Sequence, residues 1–204
     1  LGAADNDDDI VWYESPFPVG PILLSATYKD TNGNGTVNRI DAVYSEDITS
    51  STFESGDWTF PANPAGLSVG SGAFSGSTVQ ITVTGAPANT TVLGTTTVKY
   101  TNQGTSNSIT DGSNSSATSS VITVSDEAKP VIVSAFTKDS QPDGSADQLV
   151  VTFSEPVDLS NVDNGNFDLT ESAGGSPTIN GSYTSNDATS ITFNLAGVTP
   201  DNTS

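Results

Sequence analysis

The chain repeats itself at an interval of about 110 residues, and this repeat sets the size of its folding unit. Residues 25–48 (SATYKDTNGNGTVNRIDAVYSEDI) recur in altered form as residues 134–157 (SAFTKDSQPDGSADQLVVTFSEPV). At a constant offset of 109, the residues identical in both copies are Ser25, Ala26, Lys29, Asp30, Gly35, Ser45 and Glu46 of the first. The segment VQITV at 79–83 recurs as ITFNL at 191–195, at an offset of 112. A repeat of this length predicts tandem β-sandwich domains and is too long for a solenoid unit.

Period-two alternation and β-branched residues predict strands along the whole repeat. In the first unit the expected strands are 22–28, 39–45, 57–60, 78–84, 95–101 and 119–125. In the second they are 131–137, 148–154, 166–169, 180–184 and 189–195. The Gly- and Ser-rich runs GSGAFSGS and TDGSNSSA are expected to be turns. No long window keeps a helical period, so the sequence predicts an all-β protein.

The predicted organisation is an acidic segment, residues 1–20, followed by sandwich units at 21–127 and 128–204. The first unit continues through VLGTTTVKY and SVITVSD, whereas AGVTPDNTS alone follows the matching strand of the second. The second sandwich is therefore expected to lack its last strands. Because such an edge leaves backbone groups unpaired, we expect a longer parent chain or a partner that supplies the strands.

Composition excludes several classes of function. The chain has no histidine and no cysteine, so it lacks His-based catalytic triads, thiolate nucleophiles, disulfides and the usual zinc ligands. A glycosidase with a pair of catalytic carboxylates stays formally open, but the acidic residues lie in predicted loops and linkers beside Gly, Asn and Ser, a poor setting for a desolvated pair. We therefore predict that the chain is not an enzyme. With 24 acidic residues against 5 basic ones, a net charge of −19, it offers no basic surface for nucleic acid or anionic membranes. No stretch approaches the ~20 apolar residues of a membrane span.

Three segments carry a family resemblance. FSEPVD (residues 153–158) with its partner YSEDI (44–48), the linker DEAKPVIVSA and the loop DTNGNGTVNRID resemble SbsA-type bacterial immunoglobulin-like repeats. The resemblance covers about residues 21–204 and implies tandem immunoglobulin-like β-sandwich domains. It also implies an extracellular, cell-surface location, since such repeats serve as structural or binding modules of surface-layer proteins, adhesins and other secreted microbial proteins.

The loop that begins at Asp30 fits a calcium-binding pattern and resembles the calcium loop of dockerins. Calcium prefers six to eight hard oxygen ligands, and alternate positions of such a loop converge on one centre around a glycine. Asp41 would close the loop, although it falls in a predicted strand; Glu46, which recurs as Glu155, is the alternative. The competing interpretation is an Asx-rich turn without an ion. The candidate ligands are Asp30, Asn32, Asn34, Thr36, Asn38, Asp41 and Glu46.

Two further acidic groups are candidate calcium ligands. The second copy of the loop keeps Asp139, Asp143 and Asp147, with Glu155 beyond it, although Gln141 and Pro142 weaken the pattern. Asp126 and Glu127 stand between the two units, where carboxylates are able to share an ion and fix the interdomain angle. A solvated linker is the simpler interpretation of that pair.

The leading functional hypothesis is a structural segment of a surface layer, stalk or filament that contacts copies of itself or neighbouring domains. An adhesin or carbohydrate-binding module is one alternative, with aromatic residues as the stacking platform, although core packing is their commoner use. A pilin-like subunit that donates residues 10–15 (IVWYES) as a strand is another. The platform candidates are Trp12, Tyr13, Phe17, Phe53, Trp58 and Phe60. Glycosylation sequons occur at Asn34, Asn89, Asn114, Asn180 and Asn202.

Overall fold

The computed structural model describes residues 19–50, 52–105, 108–158, 160, 162–170 and 177–197, and this part of the chain is all-β. Two short 3₁₀ helices, Ser55–Asp57 and Asn164–Asn166, are its helical elements. The first seven strands are β1 (Leu23–Lys29), β2 (Arg39–Tyr44), β3 (Trp58–Thr59), β4 (Ser68–Ser75), β5 (Thr78–Thr84), β6 (Thr97–Tyr100) and β7 (Ile122–Asp126). The next four are β8 (Ile132–Lys138), β9 (Gln148–Phe153), β10 (Thr178–Asp187) and β11 (Ser190–Ala196).

The first seven strands form one sheet in the order β3-β6-β7-β1-β2-β5-β4. Neighbours are antiparallel except β1 and β7, which run parallel with Ala26 opposite Val124. In β2 alternate residues face the core, so Ile40 and Ala42 are fully buried. The rings of Tyr44 on β2 and Tyr100 on β6 lie 6.5 Å apart. Three strand spacings of about 4.8 Å would separate those strands in a flat sheet, so the sheet curves over to enclose its core.

The last four strands form a second sheet in the order β10-β11-β9-β8. Its buried core is small, consisting of Leu149, Val151, Ile191 and Phe193. Phe193 is fully buried, and its ring centroid lies 4.7 Å from that of Phe167.

Strand β8 lies at the outer position of this sheet, and its residues are mostly exposed. Its repeat counterpart β1 is instead held between β2 and β7. The consequence is clear at one repeated alanine: Ala26 is fully buried, whereas Ala135 is exposed. Within the described residues, β8 thus has no neighbour equivalent to β7.

Most predicted strands are present with ends shifted by a few residues, but two predictions were wrong. The run GSGAFSGS belongs largely to strand β4, not to a turn. An added Cβ at Gly72 would lie 2.3 Å from the Phe53 ring, so the glycine makes room for an aromatic side chain against the strand. Residues 166–169 form no strand: Asn166 ends the 3₁₀ helix, and Phe167 and Leu169 pack against the core without ladder bonds.

Candidate metal-binding loops and the junction between the sheets

The first candidate loop is organised by one carboxylate. Asp30 follows β1, and its Oδ1 accepts the Gly33 N–H at 2.9 Å while its Oδ2 accepts the Gly35 N–H at 2.7 Å. Both glycines have positive φ, 67° and 78°, a conformation that other residues adopt at a cost. Asn38 closes the loop, since its Oδ1 accepts from the N–H and the hydroxyl of Thr31 at 3.0 Å each. The loop is therefore ordered by its own hydrogen bonds.

The other candidate ligands of this loop lie around the hydrogen bonds that Asp30 and Asn38 form. Asn34 accepts the Thr36 N–H at 2.9 Å, Asn32 is exposed, and Thr36 forms a parallel bridge with Thr90. Each oxygen of a carboxylate can accept more than one contact, so Asp30 keeps capacity for a cation after binding two N–H groups. A calcium ion in this loop would be held by that one carboxylate together with amide and carbonyl oxygens. Such a low ligand charge predicts weak affinity.

The structure separates Asp41 and Glu46 from this loop. Asp41 lies on the face of β2 opposite the core, and its carboxylate pairs with Arg39 Nε at 2.7 Å and Lys29 Nζ at 3.4 Å. Two cations already neutralise it, which disfavours a metal ion there. Glu46 follows the other end of β2, a strand length of roughly 20 Å from Asp30. Neither carboxylate joins Asp30 at one centre within the unit.

The second candidate loop, which follows β8, repeats the hydrogen-bond pattern of the first. Asp139 Oδ2 accepts the Gly144 N–H at 3.1 Å, and Asp143 accepts the Ser145 N–H at 2.9 Å. Asp147 takes the place of Asn38, with its Oδ1 accepting the Ser140 N–H at 2.8 Å and its Oδ2 the Ser140 hydroxyl at 2.6 Å. These bonds from Ser140 hold the pKa of Asp147 below its ordinary value. The sequence repeat is thus also a repeat of loop geometry.

The first loop contacts the start of the second unit directly. A Cβ placed on Gly35 would lie 2.8 Å from Val133 Cγ1 and 3.3 Å from Val131 Cγ2. Beside it the Thr91 N–H donates to the Ser154 carbonyl at 3.2 Å, and the two hydroxyls are 3.3 Å apart and buried. The units are therefore docked through apolar contact and paired polar groups.

Carboxylates from both units meet at this junction. Asp126, at the end of β7, lies near the Tyr28 hydroxyl and near Glu155 of the second unit, and its negative charge acts on the pKa of both groups. Glu155 is buried, and this desolvation raises the pKa of its carboxyl, while a bond from Thr91 opposes the rise and Asp126 adds to it. Burial and Asp126 likewise raise the pKa of Tyr28. Glu127 pairs with Lys29 Nζ at 3.2 Å.

Two carboxylates held together with partial burial repel each other, and either a shared proton or a bound cation relieves that repulsion. The described residues contain no group of three or more Asp, Glu, His or Cys side chains placed to hold a metal. A calcium ion at either place would therefore rely on amide, carbonyl and water oxygens in addition to one or two carboxylates.

The aromatic candidates belong to the core where the structure describes them. Trp58 is buried and lies between Phe53 and Tyr100, with ring centroids 6.4 and 5.3 Å away. Phe60 also packs against this core. Trp12, Tyr13 and Phe17 lie outside the described residues, as do the proposed donor segment 10–15 and the sequon Asn202.

Sequence reasoning missed the contact residues of the junction, namely Tyr28, Thr91, Val131, Val133 and Ser154. One signal was present: Ser154-Glu155 is the recurring Ser-Glu pair of the repeat. The spacing of the repeat reveals such a pair but not which unit it contacts.

Comparison of the chain with protein-family models, curated proteins and solved structures finds no match. The described residues contain no helix with the length and apolar character to cross a membrane.

Proposed function

We propose that this chain is a structural segment of an extracellular microbial surface assembly, a surface layer, stalk or filament. In this proposal it consists of tandem immunoglobulin-like β-sandwich units with calcium-stabilised loops and has no catalytic activity. The internal repeat, the resemblance to SbsA-type repeats and the absence of histidine and cysteine support it. The two sheets, each formed around its own core, agree with a tandem arrangement.

The docking between the units is the observation that carries the proposal. A chain that transmits force or holds a lattice spacing needs fixed angles between its domains, whereas loosely joined domains move by default. Here the junction combines the Gly35 contact with Val133 and the buried Thr91–Ser154 pair, and the Lys29–Glu127 ion pair ties the start of the linker to β1 of the first unit. The two contacts that cross the junction restrict the angle between the units.

Pulsed electron–electron double resonance tests this rigidity. Spin labels on the exposed positions of S75C and T184C report the distance between the units, and the absence of native cysteine keeps labelling specific. We expect a single narrow distance distribution. Gly35→Ala should broaden it, because the added methyl overlaps Val133. Gly144→Ala is the matched control: the φ of Gly144, 83°, is similar, but an added Cβ would meet no atom of the described residues within 4 Å.

The comparison of the two alanine variants isolates docking from backbone strain, which both variants share. A broad distribution in the parent chain would contradict a rigid structural segment. Equal broadening by Gly35→Ala and Gly144→Ala would show that the loop contact does not set the interdomain angle.

A second candidate function, a filament formed by strand donation, is favoured by the exposed β8. An added strand on that edge would cover Ala135 and satisfy its backbone groups. The proposed donor is residues 10–15 of a neighbouring chain. A synthetic peptide of residues 5–20 should then bind the chain from which residues 1–18 have been deleted and protect β8 amides from hydrogen exchange. Unchanged exchange in β8 at saturating peptide would remove this candidate.

A further inference from the structure

The face of the second unit that contacts Gly35 has a counterpart in the first unit. Val131 and Val133 correspond at the offset of 109 to Ile22 and Leu24. In the second unit both valines are half-buried against the first, whereas Ile22 and Leu24 are 51% and 57% exposed. We call Ile22, Leu24 and the adjoining Ser45 the leading face of the chain.

The leading face has the same local structure as its docked counterpart. The Ile22 N–H donates to Ser45 Oγ at 3.0 Å, and the Val131 N–H donates to Ser154 Oγ at 3.1 Å. The return bonds from Ser45 and Ser154 N–H to the Ile22 and Val131 carbonyls are both 2.9 Å.

Both strands also carry a bulge at the same point. The register of β1 shifts between Leu23 and Ser25, and that of β8 between Ile132 and Ser134. A bulge re-aims the side chain it contains, here Leu24 in one unit and Val133 in the other. The repeat has therefore preserved the geometry that presents this apolar residue, although in the first unit it is exposed.

The loop between β8 and β9 carries the surface that would receive the leading face, which we call the receptor. The Gly144 loop, residues 139–147, repeats the Gly35 loop in its positive φ, in the bond that the glycine N–H donates to the first aspartate, and in the closing bond that residue 140 donates to residue 147. Val133 packs against Gly35, whereas the space beside Gly144 is open within the described part of the chain, since a Cβ there would meet no atom of it within 4 Å. For the contact between Gly35 and Val133, the chain thus carries a second copy of each side, the leading face and the Gly144 loop, whereas the Thr91–Ser154 pair has no described counterpart beside Gly144.

We propose that the leading face of one copy docks against the Gly144 loop of a second copy, in the manner of Val133 against Gly35. This rests on the proposed function, in which the units repeat as structural modules. The two surfaces differ, so the contact is head-to-tail and can propagate into an open filament instead of closing as a two-fold dimer. Because each copy carries a net charge of −19, association should strengthen as salt screens the repulsion.

Sedimentation velocity of the full chain, over a range of concentrations at about 0.15 M and about 1 M NaCl, tests the inference. We expect a sedimentation coefficient that rises with concentration, more steeply at high salt. Leu24→Asp should weaken association at least tenfold by placing a charge in the contact. Gly144→Asn should do the same by filling the receptor, since asparagine tolerates positive φ. Ala73→Asp, at an exposed position of β4, which lies three strands from β1 in the sheet, should leave association unchanged.

A mixing experiment gives the sharper result. Leu24→Asp keeps its receptor and Gly144→Asn keeps its leading face, so each variant alone should be monomeric while the mixture forms one-to-one dimers and no longer species. A parent chain that stays monomeric at all concentrations and at both salt conditions overturns the inference. So does association that survives in Leu24→Asp, or that depends on residues 1–18. A narrow interdomain distance distribution in the same chain would still support the proposed function. Failure of the self-association is therefore distinguishable from failure of the proposed function.

Discussion

Phe193→Ala is expected to unfold the second sheet while leaving the first intact. Phe193 is fully buried and is one of the four buried residues of the second core, packing against Phe167 and Tyr183. Replacement of a buried phenylalanine by alanine costs about 3–5 kcal/mol through lost transfer energy and the cavity left behind. A core this small has little other buried apolar surface to retain the fold.

Hydrogen exchange followed by mass spectrometry measures the effect strand by strand. Amides of β9, β10 and β11 should lose protection in Phe193→Ala, and those of β2 and β5 should keep it. The matched substitution in the first sheet is Ile81→Ala, since Ile81 is the repeat counterpart of Phe193 and is also fully buried. It should reduce protection in the first sheet. If either substitution exposes both sheets together, the two cores unfold as one cooperative unit and the tandem description is wrong.

The sequence predicted strands well where apolar residues alternate with polar ones. In 39–45 and 78–84, Ile40, Ala42, Ile81 and Val83 recur at every second position, and all four are buried. It predicted β4 wrongly, because glycine and serine signal turns locally, whereas Gly72 is accommodated by Phe53 from a distant part of the chain. At Phe167 and Leu169 the alternation was present, but periodicity reports burial and not the hydrogen-bonded partner that defines a strand.

The sequence likewise predicted one part of the candidate site and not the rest. The loop pattern anticipated the turn at Gly35, which has a φ of 78°. Spacing along the chain could not show that Asp41 pairs with Arg39 and Lys29 on the outer face of the sheet. Nor could it show that the recurring glutamate has two environments. Glu155 is buried against Asp126 at the junction, whereas Glu46 stands at the exposed leading end of the first unit. Those differences arise from docking between units, which a single copy of the repeat does not encode.

Asp30→Ala is expected to destabilise the first unit and to remove its response to calcium. The carboxylate accepts the N–H groups of Gly33 and Gly35, and each hydrogen bond to a charged group contributes roughly 1.5–3 kcal/mol when shielded from water. Because Asp30 is half-exposed, we expect a loss of about 2–3 kcal/mol in the free energy of unfolding. The loop would also lose the one carboxylate that the structure places in it.

Calcium should raise the melting temperature of the parent chain and not that of Asp30→Ala. With a Kd near 10⁻³ M, ~10 mM calcium contributes about 1–2 kcal/mol by mass action. For a unit of this size that is a shift of about 5–10 °C. Magnesium should act weakly, because it keeps its waters and demands octahedral geometry. Asp139→Ala is the matched control in the second loop and should leave the response of the first unit unchanged.

Thermal unfolding with calcium, magnesium or chelator separates the possible sites. A parent melting temperature indifferent to calcium would contradict calcium stabilisation of this chain. A response that persists in Asp30→Ala but disappears in Asp126→Asn would place the ion between Asp126 and Glu155, the two carboxylates that meet across the junction. In that case calcium should also narrow the interdomain distance distribution, because the ion would relieve the repulsion that burial imposes on the pair. An ion held only by the Asp30 loop acts on the first unit, so its main effect would be on stability.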